Sequence, residues 1–115
     1  MTLKECYASI GGNYDEVLRR MKNEERVKKF AMLFLKDPCY SMLLTAMKEK
    51  DYDTAFRVAH TMKGVCINLA FTEISESSSR LTEYLRVRDI TSAEECLTKV
   101  NEDYERTIQA ILALD

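Results

Sequence analysis

The sequence predicts an all-α protein, an antiparallel up-down four-helix bundle with short capping helices at its N-terminus. Apolar residues recur every three or four positions over most of the chain, which is the spacing of one helix face. One Pro and three Gly in 115 residues leave long stretches without a helix breaker. No segment alternates apolar and polar residues for long, so strands are disfavoured. We expect one domain over residues 1–115, with capping helices in 1–36 and the bundle in 37–115.

The capping region contains turn and cap residues at short intervals. A segment to Ile10, for which a helix is one option, ends at Gly11-Gly12. Asn13 can cap a helix to about Met21, because its side chain can accept a hydrogen bond from a free amide of the first turn. Asn23 can cap the next helix in the same way. The apolar positions of that helix are Val27, Phe30, Ala31, Phe34 and Leu35.

The first bundle helix is predicted to start at Asp37-Pro38, since Asp caps helices and Pro suits the first helical position. A turn near Asp51 to Asp53 separates it from the second helix, which runs to about Leu69. The first helix carries its apolar residues on one side, and these are Met42, Leu43, Ala46 and Met47.

The third and fourth bundle helices follow the same pattern. Thr72 can cap the third, which ends between Arg86 and Asp89, and its inward residues are Ile74, Leu81, Tyr84 and Leu85. Thr91 and Glu94 have the spacing of a capping box that would open the fourth. Its apolar stripe is Ala93, Leu97, Val100, Tyr104, Ile108, Ile111 and Leu114. Short turns between such helices make successive helices antiparallel.

Composition excludes several classes of function. Seventeen Lys and Arg against nineteen Asp and Glu give a formal charge of -2, so no basic surface for nucleic acid is expected. No apolar run approaches the ~20 residues of a membrane span, and the N-terminus lacks the apolar segment of a signal peptide. The four cysteines form no CxxC pair and favour a reducing cytoplasm; they are Cys6, Cys39, Cys66 and Cys96.

His60 is the single histidine of the chain. A metal site built from several histidines is therefore excluded, and no residues supply ligand spacing with the cysteines. No glycine-rich phosphate loop is present, because Gly11-Gly12 is an isolated turn. We expect the chain to bind no metal or cofactor of its own.

The helical phase places His60 opposite the apolar stripe of its helix, at 100° per residue. That stripe comprises Ala55, Val58, Met62, Val65 and Leu69, flanked by Ala59 and Cys66. The side that His60 occupies carries Asp53, Phe56, Arg57, Lys63, Gly64 and Ile67. The phase argues against a histidine that is satisfied in the core.

The neighbours of His60 argue against an idle surface histidine. Gly64 costs about 1 kcal/mol relative to Ala inside a helix, and one turn from His60 it leaves room for a partner. Phe56 and Ile67 place apolar groups on a face that should be polar, which indicates a docking patch. Lys63 can offer a cation to an anionic group on the imidazole.

Residues 59–69, AHTMKGVCINL, resemble the signature of histidine phosphotransfer (Hpt) domains, in which A-H-x-L-K-G is followed by small residues and N-L-G. The segment is similar at Ala59, His60, Thr61, Lys63, Gly64, Asn68 and Leu69, and Met62 is a close substitute. The resemblance extends to the order and lengths of the helices over most of the chain. Ala70 departs from the family pattern, where Gly is common at this position.

The resemblance implies roles for the residues around His60. His60 would be the phosphoacceptor, exposed in the middle of a bundle helix, and Lys63 would stabilise the phosphoryl group. Partners would dock on Phe56, Arg57, Gly64 and Ile67. Thr82 stands where many members carry a Gln or Glu that orients the imidazole, and it is shorter. Thr82, Ser79 and Arg86 are the candidates for that role, unless no residue has it.

The function that the resemblance implies is a phosphocarrier of bacterial two-component phosphorelays, without kinase activity of its own. His60 would attack the aspartyl phosphate of a response-regulator receiver domain, through Nε2, and pass the group to another receiver. The partners would be receiver domains, a hybrid sensor histidine kinase, or both, and the receiver would supply Mg²⁺. We expect a cytoplasmic monomer that binds neither nucleic acid nor membrane.

Three alternatives remain open at this point. The chain could be a helical adaptor that binds receivers without phosphotransfer, which the short Thr82 favours slightly. An autonomous enzyme would need a nucleotide or metal site, and the sequence shows neither. Met1 and a last helix that ends near Asp115 favour a free-standing protein over a piece of a hybrid sensor kinase.

Overall fold

The computed structural model describes residues 1–115 and contains seven α-helices and no strand. The helices are α1 (Leu3–Ser9), α2 (Tyr14–Met21), α3 (Glu24–Phe34), α4 (Cys39–Lys48), α5 (Tyr52–Asn68), α6 (Thr72–Arg86) and α7 (Ile90–Leu112). The all-helical prediction is confirmed. The segment before Gly11-Gly12, for which a helix was one option, is helix α1.

The Asn13 and Asn23 caps form as expected, whereas α4 starts one residue later than predicted, with Pro38 at the capping position and Asp37 just before it. The Asn13 side chain accepts a hydrogen bond of 3.0 Å from the Glu16 amide, and Asn23 accepts one of 2.8 Å from Arg26. The Asp37 carboxylate accepts from the Cys39 amide at 2.8 Å, across Pro38. Each side-chain oxygen satisfies an amide that has no partner within its helix.

Two predicted caps are wrong. Thr72 is the first residue of α6 rather than its cap, and the capping position falls on Phe71, which makes no side-chain cap. The Thr91 capping box does not form either. Asp89 accepts a hydrogen bond from the Ser92 amide at 3.2 Å and opens α7 earlier. The Asp89 carboxylate therefore caps α7, and Thr91 lies inside the helix instead of at its capping position.

Three turns connect the successive helices from α4 through α7. Each turn has three residues, and all three share one backbone geometry. The middle residue of each turn has a positive φ: Lys50 (60°), Ala70 (55°) and Arg88 (58°). The next residue donates its amide to a carbonyl five positions back, in the pairs Asp51 to Ala46, Phe71 to Cys66 and Asp89 to Tyr84. This Schellman geometry satisfies free carbonyls at the helix end and reverses the chain at once.

Successive long helices pack side by side, α4 on α5, α5 on α6 and α6 on α7. Tyr40 connects α4 to α7. Its ring stacks on Tyr104 with 3.7 Å between centroids, and its hydroxyl donates a hydrogen bond of 2.7 Å to Asn101. The core between these helices consists mainly of Leu, Val, Ala, Met and Ile side chains.

The buried face of α7 differs in part from its predicted stripe. Ala93, Val100 and Ile111 are buried as expected, whereas Leu97, Tyr104, Ile108 and Leu114 are half-buried. Asp103 and Thr107 take buried positions instead. Asp103 is stabilised there by the Lys99 ammonium at 2.5 Å and the Arg106 guanidinium at 3.4 Å. Hydropathy cannot predict a buried carboxylate, because its burial depends on these cations.

The N-terminal helices cover the end of the helix array where α5 stops and α6 starts. The Tyr7 hydroxyl donates to the Leu69 carbonyl at 2.7 Å, and the Asn13 amide donates to Ala70 at 2.9 Å. The Arg20 guanidinium donates to the carbonyls of residues 67 and 68, both at 2.8 Å. Four consecutive carbonyls at the end of α5 thus have donors from the N-terminal segment.

Gly12 lets this segment approach the turn after α5. A Cβ at Gly12 would lie 2.7 Å from the Tyr7 ring and 3.0 Å from the Ala70 carbonyl oxygen. The first distance is shorter than real Cβ contacts, and the second is tighter than most of them. A side chain at this position would require the Tyr7 ring or the Ala70 carbonyl to shift.

Candidate functional site

His60 lies in the middle of α5 with its side chain exposed to solvent. Ala55, Val58, Ala59, Met62 and Cys66 of the same helix are buried, as predicted, and Val65 is half-buried. Asp51 caps the helix by accepting a hydrogen bond from the Thr54 amide at 3.2 Å. Hydrogen bonds from Thr54 lower the pKa of Asp51 and keep the cap ionised. The helical phase thus presents the imidazole to solvent.

The Phe56 ring lies next to the imidazole of His60. The two ring centroids are 6.1 Å apart and the planes are tilted by 44°. From α6, the Arg86 guanidinium carbon lies 4.9 Å from the centre of the Phe56 ring, within the range of a cation–π contact. Arg86 also pairs with Glu83 at 3.2 Å. Phe56 therefore has a packed neighbour on α6 while part of its ring remains accessible beside His60.

Gly64 lies one turn after His60 and faces open space. A Cβ built on it would meet no atom within 4 Å. The packing of the chain therefore gives no reason for a glycine here, although it costs about 1 kcal/mol relative to Ala in a helix interior. The free surface over Gly64 extends along the helix to Ile67, whose side chain is 47% exposed.

Cationic side chains predominate around His60. Lys63 is half-buried and takes part in none of the ion pairs of the chain. Arg57 donates a hydrogen bond of 3.1 Å to the Thr54 hydroxyl, and its charge is likewise unpaired. The nearby carboxylate of Asp53 is paired with Arg88 from the turn after α6. This distribution favours an anionic group at His60.

None of the residues predicted to orient the imidazole contacts it by a hydrogen bond. Thr82 is fully buried and its hydroxyl donates to the Ser78 carbonyl at 2.7 Å. The Ser79 hydroxyl donates to Ser75 at 2.6 Å, and Arg86 contacts Phe56 and Glu83 instead. Hydroxyls in helices readily donate to the carbonyl four residues back. The hydroxyl protons of Thr82 and Ser79 are used in this way. The proposed orienting role has no contact to support it.

The sequence analysis missed the residues that shape the surface beyond Gly64. Phe30 was identified only as an apolar position of its helix, and its side chain is 42% exposed; Leu33 beside it is 49% exposed. Both line a groove against the end of α5, together with Arg20. The sequence carried a signal for Leu33, because it lies off the helix face that carries Val27, Ala31 and Phe34.

The remaining chemistry-bearing groups form no second site. No three or more His, Cys, Asp or Glu side chains are grouped to hold a metal ion. All four thiols are free, and burial raises the pKa of Cys39 to about 11. None of the seven helices combines the length and the apolar composition that a membrane span requires.

The comparisons with known proteins give one match. A family model described as Hpt domain matches residues 37–110, which is more than half of the chain. The match starts at the Asp37 cap of α4 and ends in the last turns of α7, so it includes His60 and leaves out helices α1 to α3. No curated protein and no solved structure shows a significant match.

Proposed function

The chain belongs to the Hpt domain family, and on that premise we propose that His60 carries a phosphoryl group between receiver domains of a phosphorelay. Hpt domains act in histidine phosphotransfer. The observation that carries the assignment is the position of the one histidine of the chain, exposed in mid-helix beside open space over Gly64. His60 would accept the group from one receiver aspartyl phosphate and pass it to another receiver.

The proposed arrangement of α4 to α7 is an antiparallel up-down four-helix bundle, capped at one end by α1 to α3. The three-residue turns and the pairwise packing of successive helices support it. The contact of Tyr40 with Tyr104 supports closure of the bundle between its first and last helices. In this arrangement α5 presents His60 on the outer surface.

The proposed reaction is an in-line displacement at phosphorus. The lone pair of a neutral imidazole nitrogen, expected to be Nε2, forms the N–P bond while the bond between phosphorus and the aspartyl oxygen breaks. The aspartate leaves as a carboxylate, and the proton on the other ring nitrogen is released to water. Such transition states place their charge on the phosphoryl oxygens, so positioning and charge neutralisation dominate catalysis.

Lys63 is the residue of this chain that we expect to neutralise part of that charge. Its ammonium has no ion-pair partner, and it lies one turn from His60 on the same helix. Arg57 adds a second unpaired cation on the opposite side. A receiver-bound Mg²⁺ would neutralise further charge, and the chain itself is expected to bind no cofactor. The side chains of Phe56, Arg57 and Ile67, with the open surface of Gly64, would contact the receiver.

The partners that fit this function are response-regulator receiver domains, a hybrid sensor histidine kinase, or both. Hpt domains are phosphocarriers rather than kinases, so we expect no phosphorylation of the chain by ATP alone. A monomeric state, a cytoplasmic location and the absence of nucleic-acid binding remain predictions.

The experiment that tests the function is phosphoryl transfer from receiver domains of the same organism, phosphorylated with a small-molecule phosphodonor such as acetyl phosphate. Wild-type chain should gain an acid-labile, base-stable adduct, as expected for phosphohistidine. His60→Gln should gain none while its circular dichroism spectrum is unchanged. Labelling of His60→Gln would show that another residue accepts the group.

One observation favours the alternative of a helical adaptor that binds receivers without transfer. The imidazole of His60 has no hydrogen-bond partner, and Thr82 is buried away from it. An adaptor would bind a receiver and remain unlabelled. Binding without any adduct, for every receiver that binds, would favour the adaptor over the phosphocarrier.

A further inference from the structure

Asp53 and Arg57 lie one turn apart on α5, on the side of the helix that carries His60. Residues four apart on a helix are neighbours, and an acid four positions before a base forms the better-oriented ion pair. Asp53 would therefore be the natural partner of the Arg57 guanidinium. The two side chains do not pair, and Arg57 donates a hydrogen bond of 3.1 Å to the Thr54 hydroxyl instead.

Arg88, in the turn between α6 and α7, occupies the Asp53 carboxylate in place of Arg57. Its guanidinium pairs with Asp53 across 35 positions of sequence. The backbone of this turn is fixed, because the Arg88 amide donates a hydrogen bond of 3.2 Å to the Leu85 carbonyl. The Arg88 side chain thus starts from a defined point and reaches the first turn of α5 from a neighbouring helix end.

The consequence is an arginine one turn from His60 whose charge no carboxylate neutralises within ion-pair distance. Asp51, another acid at this end of α5, is engaged as its cap and accepts a hydrogen bond of 3.2 Å from the Thr54 amide. The Thr54 hydroxyl that holds Arg57 is neutral, so it lacks the Coulomb attraction that a carboxylate would add. Arg57 can therefore leave it for an anionic group on the imidazole.

We propose that Arg88 is a positioning residue for phosphoryl transfer, because it keeps Asp53 from Arg57 and so leaves the Arg57 guanidinium available to the phosphoryl group on His60. The inference rests on the proposed phosphotransfer at His60. Without Arg88, Asp53 would pair with Arg57 and cancel a charge that neutralises the phosphoryl oxygens in the transition state. Arg88 acts from a distance, since Asp53 lies seven residues before His60, a helix rise of about 10 Å.

The test removes Arg88 and then the carboxylate that it holds. Transfer from a phosphorylated receiver that labels wild-type His60 is measured at saturating receiver for Arg88→Gln, Asp53→Asn and the double variant. Gln keeps a Cβ at the positive φ of this turn, so the backbone strain is unchanged. Arg106→Gln is the matched control, because Arg106 is a similarly exposed arginine that pairs with Glu73 between helices that do not carry His60. Thermal unfolding checks that all variants fold.

Arg88→Gln should lower the maximal transfer rate about threefold, the effect expected when an exposed i,i+4 ion pair competes for the guanidinium. The double variant should recover the wild-type rate, since no carboxylate is left to hold Arg57. Asp53→Asn and Arg106→Gln alone should transfer at the wild-type rate. At about 1 M salt, where the Debye length is about 3 Å, Arg88→Gln and the wild-type chain should transfer equally fast.

The proposal and the proposed function fail separately. A wild-type rate in Arg88→Gln would overturn the role of Arg88 while the labelling of His60 stands. A loss that Asp53→Asn does not restore would assign Arg88 to a direct contact with the receiver and overturn it as well. An equal loss in Arg106→Gln would reduce the effect to the loss of any surface ion pair and refute it. If no receiver labels the wild-type chain, the proposed function fails and the role of Arg88 fails with it.

Discussion

The Tyr7 hydroxyl donates a hydrogen bond of 2.7 Å to the carbonyl of Leu69, directly after the last turn of α5. Helix α1 is thereby joined to the helix that bears His60, across 62 positions of sequence. Tyr7 is fully buried, and its ring also packs at 5.4 Å between centroids on Phe71. The N-terminal segment is therefore an integral part of the end of the helix array.

Removal of this hydroxyl should destabilise the fold. We expect Tyr7→Phe to lower the free energy of unfolding by about 1–2 kcal/mol, because the buried Leu69 carbonyl loses its donor. Tyr84→Phe is the matched control, since the hydroxyl of the half-buried Tyr84 makes no hydrogen bond within the chain. Urea unfolding measures both. Equal stabilities of the two variants would show that the Tyr7 bond contributes nothing.

Gly64 should show opposite effects on stability and on transfer. Gly64→Ala should raise the free energy of unfolding by up to about 1 kcal/mol, because the added methyl meets open space and Ala favours the helix. Gly64→Gln should slow transfer from a receiver at least tenfold, since its side chain would occupy the space that the partner needs. Thr98→Gln, on the exposed side of α7, should leave transfer unchanged. Normal transfer in Gly64→Gln would contradict a docking surface over Gly64.

The positive φ of Lys50 predicts a stabilising glycine in the turn between α4 and α5. Its φ of 60° strains any residue with a Cβ. Lys50→Gly should therefore raise the free energy of unfolding by about 0.5–1 kcal/mol. Lys48→Gly, two residues earlier and within the helix, should lower it by about 1 kcal/mol. The same sign of change in both variants, measured by thermal unfolding, would refute the conformation of this turn.

The thiol of Cys39 predicts a loss of stability at alkaline pH. Burial raises its pKa from 9.0 to about 11, so between these values the unfolded chain releases the proton first. The free energy of unfolding should be unaffected by this thiol below pH 9 and should fall as pH rises towards 11, by an amount on the order of 1–2 kcal/mol. In Cys39→Ala the decline should be shallower. Parallel pH profiles of the two proteins, recorded under reducing conditions, would contradict this origin.

The sequence by itself determined the helices and the orientation of His60. Both depend on local rules, namely the spacing of apolar residues and the ability of Asn13, Asn23 and Asp37 to accept hydrogen bonds from free amides. The stripe opposite His60 is strong, so the phase of α5 could be calculated before any packing was known. The Hpt resemblance depended on eleven consecutive residues in that same helix.

Only the tertiary structure decided where the N-terminal helices pack and which polar groups are buried. Arg20 and Tyr7 donate to carbonyls about fifty to sixty positions away, and no local pattern records such partners. Asp103 is buried beside the cations of Lys99 and Arg106, with which it forms ion pairs. Thr82 makes no hydrogen bond to His60, because its hydroxyl donates to a carbonyl of its own helix. The spacing of apolar residues shows which face of a helix is buried. The burial of a polar side chain depends instead on hydrogen-bond and ion-pair partners that the fold brings together.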